Sequence, residues 1–215
     1  MDRDEILTRY RRLRDIRVAH YEAALKCVSR PGIFDSARRL GLRQGQHLTT
    51  ENPGELTLIL DLSIYAGKDG HSRAIDRYAK AAAPAAGGED AFVLDAMRAA
   101  RFGVWRVVRR HETVGLVVLD AVRKVESWLV DERLEEAAEE GDSFATRLCQ
   151  LGDFATTIGA IVPVDSEMLE EAFDAVPPLA RGKPDDIIED TRFVAAIYRA
   201  AIARGYFALD GDEEE

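Results

Sequence analysis

The chain has 215 residues, of which 47% are apolar and 32% are charged, and its formal net charge at pH 7 is −10. A chain of this length and composition can fold around its own core without disulfides. Two cysteines, Cys27 and Cys149, exclude a disulfide framework and a four-cysteine zinc site. The charged start is not typical of a signal peptide, and no apolar run approaches the ~20 residues of a membrane span. We therefore expect a cytoplasmic protein without membrane contact.

Charge is distributed unevenly along the chain. Residues 1–50 contain 11 Lys and Arg against 6 Asp and Glu, a net of +5, whereas residues 151–215 contain 5 against 15, a net of −10. Because binding to phosphates needs a positive surface, the acidic end argues against a nucleic-acid partner. Nucleic-acid binding through the basic amino-terminal helices stays open as a weaker alternative.

Residues 1–100 predict a helical part. Apolar residues recur at helical spacing over Asp4–Ser29 and over Ile33–Leu40. The Glu55–Tyr65 segment fits a strand by its β-branched residues and a buried helix by its length and flanks, and we favour the helix. Ser72 is expected to cap the next helix, and Glu89–Ala100 completes this part.

From Phe102 onward the period of the apolar residues changes from about 3.6 to 2, which predicts strands. Turn residues indicate two hairpins, with an acidic helical turn at Arg133–Glu140 between them. Residues 101–164 therefore predict a small five-stranded antiparallel sheet or partly closed barrel. The predicted strands are Phe102–Val108, Leu116–Asp120, Glu126–Asp131, Ser143–Leu151 and Phe154–Val162.

Residues 165–208 predict a second helical part that packs back, with caps at Asp165 and Asp190, and residues 209–215 predict a disordered acidic tail. The Phe193–Ile202 stretch is apolar around most of a helix, so it must be buried on more than one side. A homodimer through this helix is one explanation, and coverage by the first helix and the β unit is the other. The whole pattern predicts an α+β fold, most simply as one compact domain.

Four segments resemble a set of uncharacterised bacterial proteins: ARRLGLRQGQHL, DLSIYAGKDGHSRAIDRYAKAA, LVVLDAVRKVESWLVDE and TTIGAIVPV. This resemblance covers residues 30–205. The Leu116–Glu132 block also resembles the hairpin of some proteins that carry a SEC-C metal-binding motif, in which a similar strand–turn–strand precedes a turn like Gly141-Asp142. The clustered cysteines of that motif are absent here. The resemblance therefore implies neither a metal site nor an activity.

The densest mixture of titratable side chains surrounds the loop Gly67–Ser72. Loops held between rigid elements often carry function, so this region is a candidate for acid–base chemistry or for binding a small ligand. Ordinary helix-connecting sequence can contain the same residue types. The candidate catalytic residues are Asp61, Asp69, His71 and Arg73, and Arg77 is a candidate ligand-binding residue.

The two tryptophans, Trp105 and Trp128, lie on predicted strands that could be neighbours. Aromatic rings on a small barrel can stack against bases or bind proline-rich ligands, so both are candidate ligand-binding residues. A core position is the more ordinary role, above all for Trp105 in its apolar strand.

The four histidines, His20, His47, His71 and His111, fall in different predicted elements, so we expect no metal site and no cofactor. Phosphate-binding, dinucleotide-binding and serine-hydrolase signatures are also absent. The sequence therefore favours a non-catalytic binding or protein-interaction module with an unknown macromolecular partner. The alternative is an enzyme or small-ligand protein centred on the Asp61–Arg77 region.

Overall fold

The computed structural model describes residues 2–67, 72–177 and 182–207. Helices come first in the described part, a β-barrel follows, and further helices complete it. The helices are α1 (Arg3–Leu25), α2 (Arg30–Leu40), α3 (Pro53–Tyr65), α4 (Ala74–Ala82), α5 (Glu89–Ala99), α6 (Glu132–Ala137), α7 (Ser166–Asp174), α8 (Pro184–Glu189) and α9 (Thr191–Ala203). The strands are β1 (Arg43–Gln44), β2 (His47–Leu48), β3 (Arg101–Arg110), β4 (Leu116–Asp120), β5 (Glu126–Leu129), β6 (Ser143–Leu151) and β7 (Phe154–Pro163). The predicted α+β class is confirmed.

Strands β3 to β7 form a closed barrel in the order β3-β4-β5-β7-β6. β5 and β7 run parallel through the register pair Leu129–Ala155, whereas the other neighbouring strands are antiparallel. The prediction of an antiparallel sheet is therefore wrong for this pair. The reason is that α6 separates β5 from β6, and the tight β6–β7 hairpin then brings β7 back beside β5 in the same direction.

This strand order, with a helix between the third and fourth strands, is that of an OB-type Greek-key barrel, a fold found in proteins that bind oligonucleotides or oligosaccharides. Register shifts occur in β3 between Val107 and Arg109 and in the β6–β7 pair between Ala145 and Arg147. Such bulges bend the strands and help a small barrel to close. A shared fold does not establish a shared function, so the site itself has to be analysed.

The ambiguous Glu55–Tyr65 segment is helical, as favoured. Asn52 starts α3, because its side-chain oxygen accepts hydrogen bonds from the backbone N–H groups of Gly54 and Glu55. Pro53 occupies the first turn, where its missing N–H costs nothing. The prediction of a buried helix is confirmed.

Two predicted helix boundaries are wrong. α1 ends at Leu25 rather than at Ser29, because Ser29 is the cap of α2 and its Oγ accepts from the Gly32 N–H. Ser72 does not cap α4, which begins after Arg73 without a side-chain cap. Both differences move a boundary by a few residues and leave the element in place.

The apolar stretch of α9 is buried within the chain itself. Phe193, Ile197 and Tyr198 are fully enclosed, and α9 packs on α2, α3, α7, α8 and β7. α1 instead packs on α3, α4 and α5, so the expected coverage of this ridge by the first helix is wrong, whereas its coverage by the β unit, through β7, is confirmed. Because its own chain covers the ridge, the uncovered surface that motivated the homodimer prediction is absent, and oligomeric state stays a prediction. The predicted tail at residues 209–215 lies outside the described residues.

Candidate functional site

Asp61, the first predicted catalytic residue, lies in a closed joint between α3, β6 and α9. Its carboxylate is 0% exposed. One oxygen, Oδ2, accepts a 2.6 Å hydrogen bond from the Tyr198 hydroxyl, and Oδ1 lies 3.4 Å from Nε of Arg147. The Arg147 guanidinium in turn lies over the rings of Tyr65 and Phe102, at 4.4 and 5.4 Å from their centres.

β7 approaches this joint through a bulge. Gly159 has φ +77°, and a Cβ there would lie 2.2 Å from Asp61 Oδ1, so only glycine fits. Burial raises the pKa of the Asp61 carboxyl above its ordinary value, while the Arg147 cation and the Tyr198 hydroxyl oppose that rise. A carboxylate without access to solvent or ligand suits a structural joint better than catalysis.

Arg73 and Arg77 have partners of their own. Arg73 donates hydrogen bonds to the Asp76 carboxylate and to the backbone carbonyl of Arg98, each at 2.8 Å. The hydrogen bond from Arg73 to Asp76 lowers the pKa of Asp76. Arg77 donates to the backbone carbonyls of Ser72 and Cys27. The structure therefore gives Asp61 and Arg73 separate environments. The other two candidates, Asp69 and His71, lie outside the described residues.

The two tryptophans are not on neighbouring strands, because β4 lies between β3 and β5. Trp105 lies inside the barrel and donates its indole N–H to the carbonyl of Thr146 at 3.1 Å. Trp128 is half-buried on the opposite surface of the wall, where His111 stacks on it at 4.1 Å and its N–H bonds the Val114 carbonyl. The expectation that they could be neighbours is therefore wrong.

The two ends of the barrel differ. At the end where β6 begins, α6 packs Leu134 and Ala138 against the barrel interior. At the end where β6 finishes, a pocket of about 400 Å³ opens to solvent, and we call it the mouth. Its walls include Arg101, Trp105, Val125, Ser127, Leu148 and Gln150. Mouths of β-barrels are frequent ligand sites, and this volume is in the usual range.

The mouth lies where the barrel is least completely paired. β5 contacts β7 at one register position, Leu129–Ala155, and the Val130 N–H adds a bond to the Ala155 carbonyl. In this parallel register the Ala155 N–H pairs with the Trp128 carbonyl, so within the described residues the N–H and C=O of Glu126 and the N–H of Trp128 have no strand partner on that side. We call this gap the seam. Ser127 of β5 and the preceding Val125 line the mouth beside the seam.

The rim of the mouth contains an ion-pair cluster centred on Arg123. Its guanidinium binds the buried Asp120 at 2.9 Å and Glu189 of α8 at 2.8 Å, and Asp185 lies 3.6 Å away. Asp120 also accepts from backbone N–H groups of the β4–β5 turn. Asp120 is therefore occupied in shaping the turn, Asp185 and Glu189 face Arg123, and the floor beneath them is apolar.

The face that OB-type barrels commonly use is covered here by α1. Arg3 donates to the Thr113 carbonyl in the β3–β4 loop at 3.2 Å, and Arg9 lies 3.7 Å from Asp153 in the β6–β7 turn. These two loops border the usual ligand face of such barrels. Its occupation by a helix of the same chain leaves the two ends of the barrel, where the mouth opens at one end and a pocket of about 480 Å³ lies beside α6 at the other.

Sequence reasoning found Trp105 in the mouth but missed its other walls. Ser127, Gln150 and Ala155 are small or neutral residues on three different strands, and strand closure alone brings them together. Among the described residues, no group of three or more His, Cys, Asp or Glu is placed to hold a metal ion. The expected lack of a metal stays a prediction. No described helix is long and apolar enough to span a bilayer.

Comparisons with known proteins place the chain in a family without providing a function. No curated protein and no solved structure gave a significant match. The SEC-C resemblance of the Leu116–Glu132 block therefore stays a prediction. A family model described as a family of unknown function, DUF7986, matches residues 4–207. Because that match spans nearly the whole sequence, the chain belongs to the DUF7986 family of unknown function.

Proposed function

We propose that this chain is a cytoplasmic, non-catalytic binding module whose barrel mouth takes a segment of another protein. One observation carries the proposal: a pocket of about 400 Å³ opens at the incompletely paired seam of an otherwise closed barrel. Its apolar floor provides burial for a side chain, and its polar rim provides orientation.

Charge favours a protein segment over a nucleic acid. The chain has a formal net charge of −10, and Arg123 at the rim is surrounded by Asp120, Asp185 and Glu189. A polyanion with many phosphates would need several free cations on one surface. The α1 helix also covers the loops that OB-type barrels use for oligonucleotides. A short protein segment needs neither feature.

The enzyme alternative has less support. Its central residue, Asp61, is enclosed and bound to Tyr198 and Arg147, and Arg73 binds elsewhere. A general acid or base has to reach a substrate proton within hydrogen-bonding distance. In the mouth, the Asp120 carboxylate is 2% exposed and already accepts from its own turn.

The three segments 1–100, 101–164 and 165–208 are proposed to be one folding unit rather than separate domains. The largest core cluster combines residues from α2 and α3, from β3, β6 and β7, and from α7 to α9. Residues that share one core unfold together. One cooperative urea transition, coincident by circular dichroism and tryptophan fluorescence, is the expected result. Two separate transitions would contradict it.

Site-specific photo-crosslinking in the cells that make the protein tests the proposed function. A photoreactive phenylalanine derivative replaces Val125, which is 58% exposed at the mouth, or Val18, which is 42% exposed on α1. We expect a discrete crosslinked protein from position 125 and none from position 18. Ala99→Trp, on the rim, should abolish that crosslink, whereas Ala81→Trp, on the exposed side of α4, should not. A crosslink that survives Ala99→Trp, or none from position 125, would overturn the proposal.

A further inference from the structure

We infer that the partner segment binds in an extended conformation and adds a β-strand to the seam edge of β5, an inference that rests on the proposed function. β-strand addition needs a strand edge whose backbone groups are unpaired and accessible. A closed barrel normally offers no such edge. In this chain the single register pair between β5 and β7 leaves one beside the mouth.

The hydrogen-bond pattern identifies the residues of this edge. In an antiparallel pair, the N–H and C=O of alternate residues point to the partner strand. The Val125 carbonyl accepts from the Asp120 N–H of β4, so the backbone groups of Val125, Ser127 and Leu129 point to β4. Those of Glu126 and Trp128 then point to the seam, where the Trp128 carbonyl already pairs with the Ala155 N–H of β7, and the N–H and C=O of Glu126 and the N–H of Trp128 are left for a partner. The bond from the Val130 N–H to β7 agrees with this alternation.

The lining of the mouth specifies the side chains of the partner. Side chains of a strand alternate between its two faces, so a segment beside β5 directs every second side chain into the mouth. Trp105, Leu148 and Ala155 make an apolar floor there, which favours apolar residues at those positions. On the rim, Arg101 is paired with Glu189 at 3.8 Å, and Lys124 of the β4–β5 turn, next to β5, is an exposed cation. The segment that fits therefore alternates apolar and polar residues and has an acidic residue at the end near Lys124.

A peptide that meets this description can be obtained by selecting short random peptides against the intact chain. Calorimetric titration of the selected peptide into wild type, Ala99→Trp and Ala81→Trp shows whether it binds at the mouth. Amide hydrogen exchange of the Glu126 N–H, which points to the seam, then reports strand addition. The Ser127 N–H is the matched control, because it already points to β4.

Strand addition predicts that the bound peptide slows exchange at Glu126 roughly tenfold or more and leaves Ser127 nearly unchanged. N-methylation of the peptide at alternate positions should weaken binding about tenfold, because each methyl removes one strand hydrogen bond. A peptide blocked by Ala99→Trp but insensitive to N-methylation, with Glu126 unprotected, would overturn strand addition and leave the binding module standing. A peptide unaffected by Ala99→Trp, or binding of single-stranded oligonucleotides in place of peptides, would overturn both.

Discussion

Polar groups are enclosed on one side of the barrel and lie at an open strand edge on another. On the side covered by α3 and α9, the charges of Asp61 and Arg147 are enclosed, and the bulge at Gly159 fits against them. At the mouth, the seam edge of β5 lacks a neighbouring strand, and a pocket stays open beside it. In the joint, Asp61 Oδ2 accepts a hydrogen bond from Tyr198, whereas Asp61 Oδ1 and Arg147 Nε face each other as an ion pair without a hydrogen bond. The comparison therefore separates a joint that specifies the fold from a surface that is available to a partner.

The buried Asp61–Arg147 pair fixes how the helices pack on the barrel more than it adds to the stability of the fold. Removing two charges from water costs several kcal/mol, and their mutual attraction offsets that cost only with good geometry. Asp61 of α3 and Arg147 of β6 are 86 residues apart in the sequence, and Tyr198 of α9 donates a hydrogen bond to Asp61. The cluster thus fixes how the helices sit on the barrel.

The largest expected effect comes from breaking this pair. Arg147→Met should lower the free energy of unfolding by about 3–5 kcal/mol, because it leaves the Asp61 carboxylate buried and unpaired. Urea unfolding measures the change. In the double variant with Asp61→Leu, much of the loss should be recovered, since both charges are then absent. A loss below about 1 kcal/mol in the single variant would show that the joint is not closed.

The same variant has a signed pH dependence. Without Arg147, the folded-state pKa of Asp61 rises further above its ordinary value of 3.8, so the folded state binds the proton more tightly than the unfolded state. The contribution of Asp61 to stability is then greatest below pH 3.8 and is lost as the pH rises through the folded-state pKa. Relative to wild type, Arg147→Met should lose less stability in acid than at pH 7. An equal loss of stability in acid and at pH 7 would contradict a buried Asp61 carboxyl whose pKa depends on Arg147.

Gly159→Ala tests the buried joint, and Gly87→Ala is its control because the two glycines have nearly the same positive φ. Its φ is +77°, and the new Cβ would meet Asp61 Oδ1 at 2.2 Å. Gly87 has φ +80° with nothing within 4 Å, so Gly87→Ala measures backbone strain alone, about 1 kcal/mol. We expect Gly159→Ala to cost roughly 2 kcal/mol more than Gly87→Ala. Equal effects on the unfolding free energy would mean that β7 does not press on Asp61.

A smaller effect concerns Asp76, on the helical side. Its hydrogen bond from Arg73 lowers its pKa from 3.8, so this contribution is present above pH 3.8 and is lost as the pH falls through the folded-state pKa. The pair is partly exposed, so the loss should stay below about 1 kcal/mol. Asp76→Asn should remove this part of the acid dependence of unfolding. If Asp76→Asn leaves the acid dependence of unfolding unchanged, the Arg73–Asp76 pair does not contribute to the stability of the folded state.

The smallest expected effect on stability is at the mouth. Ala99 is exposed on its rim, so Ala99→Trp should change the free energy of unfolding by less than about 0.5 kcal/mol, as should Ala81→Trp on α4. Thermal and urea unfolding of both variants provide the values. A loss of several kcal/mol for Ala99→Trp alone would show that the mouth is filled by the chain itself.

Local patterns in the sequence predicted the elements better than their assembly. The change of period at Phe102 located the strands, and the Asn52-Pro53 start decided a helix whose β-branched residues pointed to a strand. Such signals depend on residues that lie close together in the sequence. The parallel β5–β7 pair has no local signal, because it follows from the direction in which the β6–β7 hairpin returns.

The two sides of the barrel were predicted unequally for the same reason. Asp61 was noticed as a titratable residue, but its partners Arg147 and Tyr198 lie far away in the sequence and read as ordinary strand and helix residues. Trp105 was noticed as a possible ligand contact, while the seam depends on strand register. Spacing along the chain carries no information about the partners of Asp61 or about the strand register that forms the seam.

The measurement that tests the central claim most directly is the affinity of a selected peptide for Ala99→Trp and Ala81→Trp, each compared with its own unfolding free energy. If the mouth is the binding site, Ala99→Trp weakens binding at least about tenfold while its stability matches that of Ala81→Trp. Retained affinity in stable, folded Ala99→Trp would contradict the assignment of the mouth as the functional site.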